Sequence, residues 1–403
     1  MSAFYNQFPR RPSKDNNYDY ASSFGRRHYT PIWQPQFSSY GYRQQFFTTS
    51  QFTAPRVFNS VPSFSQTAPS QRIEFVKSVK HVGGYAYNFR TMEMNVGDDE
   101  LRLLDTSKIK GLEGYDLSQG SESFGLDIKE EREESRRELP TGFRWLMEIS
   151  DRNRLLTYDS EFACKRSLLV NIASEKCDRV LCVKFGRTIF MCDFSSKPRY
   201  YFNHEQRLLV YTGKKFEKVL TKPQPWIQVD DQPAGNGDAY YAIFRVVLGS
   251  TTTFKVLISA EVDGIDDNND FIEIKTCQQP TDGREVKNKV NWWLQSYLVG
   301  VDRLFVGIKG KTIVRKIIEL KNSDFQQNKK TDAYLNQLEN FLKGVRSLMQ
   351  RTRTPDDNWL LMERPRTQKE WQYRWLHSAY DRAPYREFVP DDFYTYFGIR
   401  RYI

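Results

Sequence analysis

From Ser167 to Leu320 short apolar runs recur between polar or glycine turns, and this rhythm constrains the fold more than any other feature of the chain. Ser167-Leu168-Leu169-Val170, Val180 to Val183, Thr188 to Met191 and Leu208 to Tyr211 each read as a strand. Ala239–Leu248 and Phe254–Val262 read as a hairpin about Gly249-Ser250-Thr251, and Arg303 to Gly307 and Thr312 to Leu320 as two more strands. Three stretches have helical spacing instead. Thr141 to Ile149 fits a short amphipathic helix, Val290, Trp293, Leu294, Tyr297 and Leu298 share one face, and Tyr334, Leu335, Leu338, Phe341, Leu342, Val345 and Leu348 give a strong closing helix. No internal repeat is visible.

The flanks differ in composition. Residues 1–71 are rich in Ser, Gln, Pro, Tyr, Phe and Arg without a sustained period, which predicts a disordered tail, a spacer or a weak stacking surface for single-stranded RNA. Lys129 to Glu138 is a mixed-charge run that reads as a solvated face. Order is expected over residues 72–350, followed by an Arg- and aromatic-rich extension over 351–403 that either docks elsewhere or folds back, with a short helix near Trp371 to Tyr380.

At 403 residues the chain can bury a large core. A net charge of +10 beside 50 acidic residues suits a basic surface around an acidic site, and equally a solvated, mildly basic surface. The five cysteines, Cys164, Cys177, Cys182, Cys192 and Cys277, form no CxxC pair, and the four histidines have no HxxxH spacing. A disulfide framework and a structural zinc site are therefore not expected, and a reducing compartment is. No signal-peptide pattern or membrane-length apolar run appears, so the expectation is a nuclear or cytosolic protein with no membrane partner; Arg10-Arg11 and Arg26-Arg27 are too short to settle import.

One stretch carries chemistry. Glu261-Val262-Asp263 is followed by Phe271-Ile272-Glu273-Ile274-Lys275 and then by Trp292-Trp293-Leu294-Gln295. In a strand, residues i and i+2 face the same way, about 6.6 Å apart. Parity therefore puts Glu261 with Asp263 and Glu273 with Lys275, while Ile272 and Ile274 face a core. If the short Gly264 to Asp270 loop lays the strands side by side, three carboxylates and an ammonium converge. Crowded carboxylates raise one another's pKa, and a hard divalent cation with oxygen ligands removes that penalty. Such an ion, or a pair, stabilises the attacking and leaving oxygens of a phosphodiester. Asp, a spacer and Glu-x-Lys are the signature of PD-(D/E)xK nucleases; alone the pattern also fits a solvated strand face.

Neighbouring motifs narrow the reading. Gly213-Lys214-Lys215-Phe216-Glu217 offers a fourth carboxylate at what reads as a strand end, and Arg166 lies between Lys165 and Ser167 at the start of another. The ordered set Arg, Gly-x-x-x-Glu, Glu-x-Asp, Glu-x-Lys and Trp-Trp-x-Gln-Ser, from about Ile73 to Met349, resembles the DXO decapping-exoribonuclease family. That resemblance implies an α+β fold in which a large mixed β-sheet packs beside a smaller sheet with flanking helices, the active site lying in the cleft between the sheets. It implies metal-dependent hydrolysis of RNA 5′ ends, including defective caps, triphosphates and NAD-type caps, with 5′-3′ exoribonuclease action in many members and a larger 5′-3′ exoribonuclease as partner in some. Carried over by motif, Glu217, Glu261, Asp263 and Glu273 would hold Mg2+, or Mn2+, or its waters, with the Ile274 carbonyl as a further ligand. Lys275 and Gln295 would meet the scissile phosphate or nucleophile, Arg166 the RNA backbone or 5′ group, and Arg245 would line the same channel.

The chain departs from the family where Lys165-Arg166-Ser167 replaces the usual Trp-Arg-Gly and where Lys214 replaces an aromatic or apolar residue, which bears on cap preference. A catalytically silent RNA-end-binding scaffold of the same fold is the alternative, although all four carboxylates are present. A DNA-directed nuclease needs only the central motif and leaves the flanking motifs unexplained. A surface salt bridge for Arg166 and a core position for at least one of Trp292 and Trp293 are the plain structural readings of those residues.

Overall fold

The computed structural model describes residues 59–60, 74–88, 93–123, 138–148, 159–194, 203–224, 238–278, 289–325, 329–351, 358–365, 368, 370–389 and 391–396. The tail 1–71, apart from 59–60, and the charged run up to residue 137 lie outside the described residues.

The strands are β1 (Asn59–Ser60), β2 (Val76–Asn88), β3 (Glu93–Val96), β4 (Leu103–Leu104), β5 (Phe162–Lys165), β6 (Arg179–Phe185), β7 (Thr188–Asp193), β8 (Thr221–Lys222), β9 (Asp238–Leu248), β10 (Phe254–Glu261), β11 (Gly264–Ile265), β12 (Phe271–Gln278), β13 (Arg303–Lys309), β14 (Val314–Lys321), β15 (Asn358–Glu363) and β16 (Gln372–Trp375). They form a ten-stranded sheet in the order β1-β16-β15-β6-β7-β5-β10-β9-β2-β3 and a six-stranded sheet in the order β14-β13-β12-β11-β4-β8. Both are mixed: β5 runs parallel to β7 and β10, and β12 parallel to β13. The expected α+β architecture of two mixed sheets with helices is what the chain forms.

Strands buried on both faces read as near-continuous apolar runs. In β9 the residues Ala242, Phe244, Val246 and Leu248 face one core, while Tyr241 and Ile243 face another. The expected hairpin joins β9 to β10 through Gly249 at φ +112°, where a side-chain carbon would stand 1.8 Å from the Thr252 carbonyl oxygen, so only glycine fits. The turn is clamped by Glu339, whose carboxylate accepts from the backbone N–H groups of Ser250, Thr251 and Thr252 at 2.9–3.0 Å.

The helices are α1 (Glu138–Glu148), α2 (Arg166–Ala173), α3 (His204–Leu220), α4 (Lys289–Tyr297) and α5 (Lys329–Gln350), with shorter helical turns between them. Helices α2, α4 and α5 cover one face of the large sheet, burying Leu169, Ile172, Trp293, Leu294, Leu338 and Leu342. Trp145 of α1 and Phe393 of the C-terminal segment cover the other face.

Three expectations are corrected here, and one left open is decided. Ser167–Val170 lies in α2, not in a strand; a short apolar run buried on most sides has no periodicity that distinguishes helix from strand. Leu208–Tyr211 and the Gly213–Glu217 motif both lie in α3. Its start is a capping box, Asn203 Oδ1 accepting from Gln206 N at 2.8 Å and Gln206 Oε1 accepting from Asn203 N at 3.0 Å, worth about 1 kcal/mol. Its apolar face, Phe216 and Leu220, packs on Ile272, Ile274 and Phe305 of the small sheet. Trp371 to Tyr380 holds strand β16 at Gln372–Trp375 and only the start of a one-turn helix at Ala379–Arg382. Of the two readings left open for the C-terminal stretch, its described residues fold back: β15 pairs with β6 and β16 inside the large sheet, and Trp359, Leu360, Leu361 and Met362 are buried. Even Asn59–Ser60 pairs with β16.

Candidate active site at the seam between the sheets

β10 belongs to the large sheet and ends at Glu261; β11, two residues after Val262, belongs to the small one. The chain therefore changes sheets at Val262-Asp263. Val262 is anchored in the large core, and Gly264 sits so close to the Arg102 carbonyl oxygen that a side-chain carbon would stand 2.7 Å from it. The strand-parity expectation for Glu261 and Asp263 thus fails, because Asp263 is past the strand, and the two strands meet at a seam instead of pairing. Glu261 is exposed, whereas Asp263 turns inward and its Oδ2 accepts from the Ile274 N–H at 2.6 Å and from Lys275 Nζ at 3.2 Å.

Parity does hold on β12. Ile272 and Ile274 are fully buried in the small-sheet core, and Glu273 and Lys275 face the opposite way, with Lys275 Nζ 2.7 Å from Glu273 Oε1. Arg166, at the first position of α2, reaches the same carboxylate: Nη1 donates to Glu273 Oε2 at 2.9 Å and Nη2 to Oε1 at 3.2 Å, while Nη2 also donates to the Glu261 carbonyl oxygen at 2.7 Å. Arg166 is only 8% exposed, so a surface salt bridge is ruled out.

The charges are unevenly balanced. Burial alone raises Glu273, but the adjoining charges of Arg166 and Lys275 overcome it and hold the carboxyl at about 2. Asp263 is pushed up to about 6, first by burial and then by Glu273 and Glu261, with Lys275 and the Ile274 N–H only partly offsetting them. Glu217 is raised well above the carboxylate range by burial and by Asp263 and Glu261, against Lys275 and Lys214. Burial opposes the Lys275 ammonium, yet Asp263, Glu273 and Glu217 together raise it above the usual lysine range.

These groups line one cleft of about 420 Å³: Arg166, Glu217, Glu261, Asp263, Glu273, Lys275 and Gln295, together with Val170, Asn171, Lys176, Asn291 and Trp292. The structure thus gathers the expected set from α2, α3, the seam, β12 and α4. Ile274 contributes its N–H to Asp263. Arg245 is not brought in. It alternates on β9 with Phe244 and Val246, faces away from their core, and pairs with Asp159 Oδ2 at 3.3 Å. Both tryptophans are core residues: Trp293 lies in the large-sheet core with its ring centroid 4.9 Å from that of Tyr297, and Trp292 packs with Leu304 and Val306 while it borders the cleft.

Asn171, Lys176 and Asn291 were not singled out by sequence. Asn291 had a signal, one helical turn before Gln295 on α4. Lys176 follows α2, and reading that helix as a strand hid its position.

The donor set suits a hard divalent cation. All four carboxylates are oxygen donors, and they outnumber the two cations that pair with them, Arg166 and Lys275. As placed, no three His, Cys, Asp or Glu side chains among the described residues converge on one point, because Arg166, Lys275 and the Ile274 N–H draw Glu273 and Asp263 to themselves. The five cysteines are free, and no helix among the described residues is long and apolar enough to cross a membrane.

Two mixed sheets meeting at an Asp, Glu-x-Lys seam define the PD-(D/E)XK nuclease class. Residues 77–394 match the family described as RAI1-like PD-(D/E)XK nuclease, and the chain belongs to that family. The match runs past Met349 into the C-terminal strands, beyond the range of the sequence resemblance. The decapping and exoribonuclease protein Rai1 of Drosophila melanogaster is 27% identical over 234 residues, spanning 51% of this chain and 62%, under two thirds, of the relative. Rai1 of Scheffersomyces stipitis, solved with (3′-NADP)+ and calcium, superposes with a TM-score of 0.65 at 16% identity over 81% of this chain and 97% of that one. Rai1 of Candida albicans, solved with pU5-Mn2+, superposes with a TM-score of 0.63 at 16% identity over 85% and 99%.

Proposed function

We propose that the protein is a divalent-metal-dependent hydrolase of RNA 5′ ends, removing triphosphate, defective or NAD-type caps. The observation that carries this reading is the convergence of Glu217, Glu261, Asp263, Glu273, Lys275 and Gln295 on one cleft at the seam between the sheets. Family membership supports it, as do the relative named for decapping and the neighbours holding an RNA oligonucleotide with Mn2+ or a dinucleotide with calcium.

In this reading Glu217, Glu261, Asp263 and Glu273, with the Ile274 carbonyl, would hold Mg2+ or Mn2+. The ion, when bound, supplies an activated water and a Lewis acid for the phosphodiester. The protein's own groups do the rest. Arg166 fixes the Glu273 carboxylate by two hydrogen bonds and so positions it. Lys275 remains protonated beside Asp263 and Glu273 and is placed to offset charge on the phosphate as it leaves them. Gln295 offers an amide to the phosphate or the water from the wall of α4. Distributive 5′-3′ exonuclease action, a larger exoribonuclease partner and a nuclear location belong to the same proposal.

The test is incubation of purified protein with RNA bearing triphosphate, unmethylated-cap or NAD-cap ends, with Mg2+ or Mn2+, and identification of the released product. Hydrolysis of at least one end is expected, with Glu261→Ala/Asp263→Ala losing at least about 100-fold in rate while still binding RNA. Binding without release from any end identifies a silent scaffold. Matched single-stranded DNA separates RNA-directed from DNA-directed cleavage.

A further inference from the structure

The large sheet has an outer edge that the cleft does not use. On that side β16 has β15 along its inner flank, and among the described residues its outer flank meets only Asn59–Ser60. Trp371, Tyr373 and Trp375 alternate along it and pack from one face on the large-sheet core, Tyr373 and Trp375 lying opposite Met362 and Leu360 of β15. Gln372 and Arg374 take the other face by strand parity. All four residues of β16 are nonetheless only half-buried. An open strand edge offers its N–H and C=O groups to any extended segment, and proteins cover such edges.

Register and sequence together point to what covers this one. Asn59 lies opposite Tyr373 and Ser60 opposite Gln372, antiparallel. Continuing that count would set Val57 opposite Trp375 and Val61 opposite Trp371. Val57 and Val61 are the only valines in residues 1–71, a stretch that holds no leucine, so its strand-forming aliphatic residues fall where the tryptophans are. A β-branched residue opposite an aromatic one is a favourable cross-strand pair. Pro55 and Pro62 bracket the run, and because proline cannot donate to a ladder they limit a strand here to Arg56–Val61.

We infer that the outer edge of β16 is a strand-docking surface whose occupant is the chain's own segment Arg56–Val61, anchored by Val57 and Val61 against Trp375 and Trp371. The mode is strand addition to an open edge, in which main-chain hydrogen bonds give affinity and alternate side chains give specificity. It attaches the aromatic tail to the sheet at β16, four strands and so about 19 Å from β5, the strand that leads into Arg166. The surface is separate from the cleft and does not depend on the RNA-end reading.

The test uses the full-length chain carrying Ser60→Cys and Gln372→Cys, opposite positions whose Cα atoms in an antiparallel pair lie about 4.5–5.5 Å apart, within disulfide reach. Under mild oxidation at low protein concentration the two introduced thiols are expected to link within one chain, as read by mass spectrometry of the digest. The link should form at least about tenfold faster than in the offset pair Phe58→Cys/Gln372→Cys, which the same register sets on a diagonal beyond easy reach. Adding Val57→Asp and Val61→Asp is expected to slow the link by about tenfold, and in the chain without introduced cysteines to speed amide exchange across residues 372–375 by a similar factor. Exchange across β6 and the unfolding midpoint should stay at wild-type values, which separates undocking of the tail from damage to the sheet. A link no faster than in the offset pair, or an unchanged rate with both aspartates present, overturns the inference. A link between two chains in place of one within a chain also overturns it, because the occupant is then a second copy.

Discussion

Replacing Arg166 with methionine tests how the Glu273 carboxylate is held. Arg166→Met keeps the length of the side chain and removes both hydrogen bonds to Glu273 and the one to the Glu261 carbonyl oxygen. Glu273 is 1% exposed, and it would be left with Lys275 as its remaining cationic neighbour. Breaking one side of a buried ion pair costs about 3–5 kcal/mol. The displacement of Glu273 from its ordinary 4.5 to about 2 corresponds to about 3 kcal/mol of preference for the ionised form, supplied by Arg166 and Lys275 together against burial. In chelator-treated protein unfolded with urea, at a slope of up to about 3 kcal/mol/M, the midpoint should fall by about 1 M or more. Adding Glu273→Gln should recover much of the loss, giving a coupling of about 3 kcal/mol in the double-mutant cycle. The sign with pH follows from a depressed carboxyl: its stabilisation is present above about 4.5 and is lost as pH falls through about 2, so wild type and mutant should converge at acid pH. A mutant within 1 kcal/mol of wild type, or a cycle that is additive, would refute the reasoning.

Two further predictions come from carboxylates in opposite situations. Asp263 is held up at about 6, so its ionised form burdens the folded protein above that pH and not below 3.8; Asp263→Asn in chelator-treated protein should be stabilised by up to about 3 kcal/mol at pH 7.5 and by nothing near pH 3.5, and should lose most of the rise in unfolding midpoint that Mn2+ gives wild type. Glu339 is the reverse. Burial opposes its charge, but the Thr251 hydroxyl, Lys343 and the N–H groups of Ser250 and Thr251 hold it at about 2. Glu339→Gln should therefore cost about 1–3 kcal/mol in urea unfolding above pH 4.5, a cost that fades as pH falls toward 2, and should leave RNA hydrolysis unchanged because the clamp lies on the β9–β10 turn outside the cleft.

Much of the chemistry was legible in the residues alone. Glu273 and Lys275 had to share a face because β12 is a regular strand with Ile272 and Ile274 committed to a core, and period-2 alternation states that directly. Gln295 followed from helical spacing that put Trp293 inward. The β9–β10 hairpin was legible because Gly249 sits where no side chain fits. Other positions were not local facts. Ser167–Val170 and Leu208–Tyr211 are apolar runs of four residues, too short for a period to show, and their helices are decided by what they cover; the Asn203-x-x-Gln206 spacing at the start of α3 is the local signal that the strand reading missed. The C-terminal strand β15 has a partner, β6, some 180 residues earlier, and such pairing leaves no trace in composition.

Sequence by itself determined which groups are available: four carboxylates, a lysine, a glutamine and an arginine at fixed spacings, with apolar neighbours that oblige them to face a cleft. Tertiary structure alone decided how they meet. The chain leaves the large sheet at Glu261 and enters the small one at Gly264, so Asp263 turns onto Ile274 and Lys275 instead of lying beside Glu261. Arg166 arrives from a helix 107 residues away to hold Glu273, and Arg245, on the wrong face of β9, is excluded. The physical reason is that strand parity and helical period are set by neighbours along the chain, whereas charge balance in a buried cleft is set by elements that touch only after both sheets have closed.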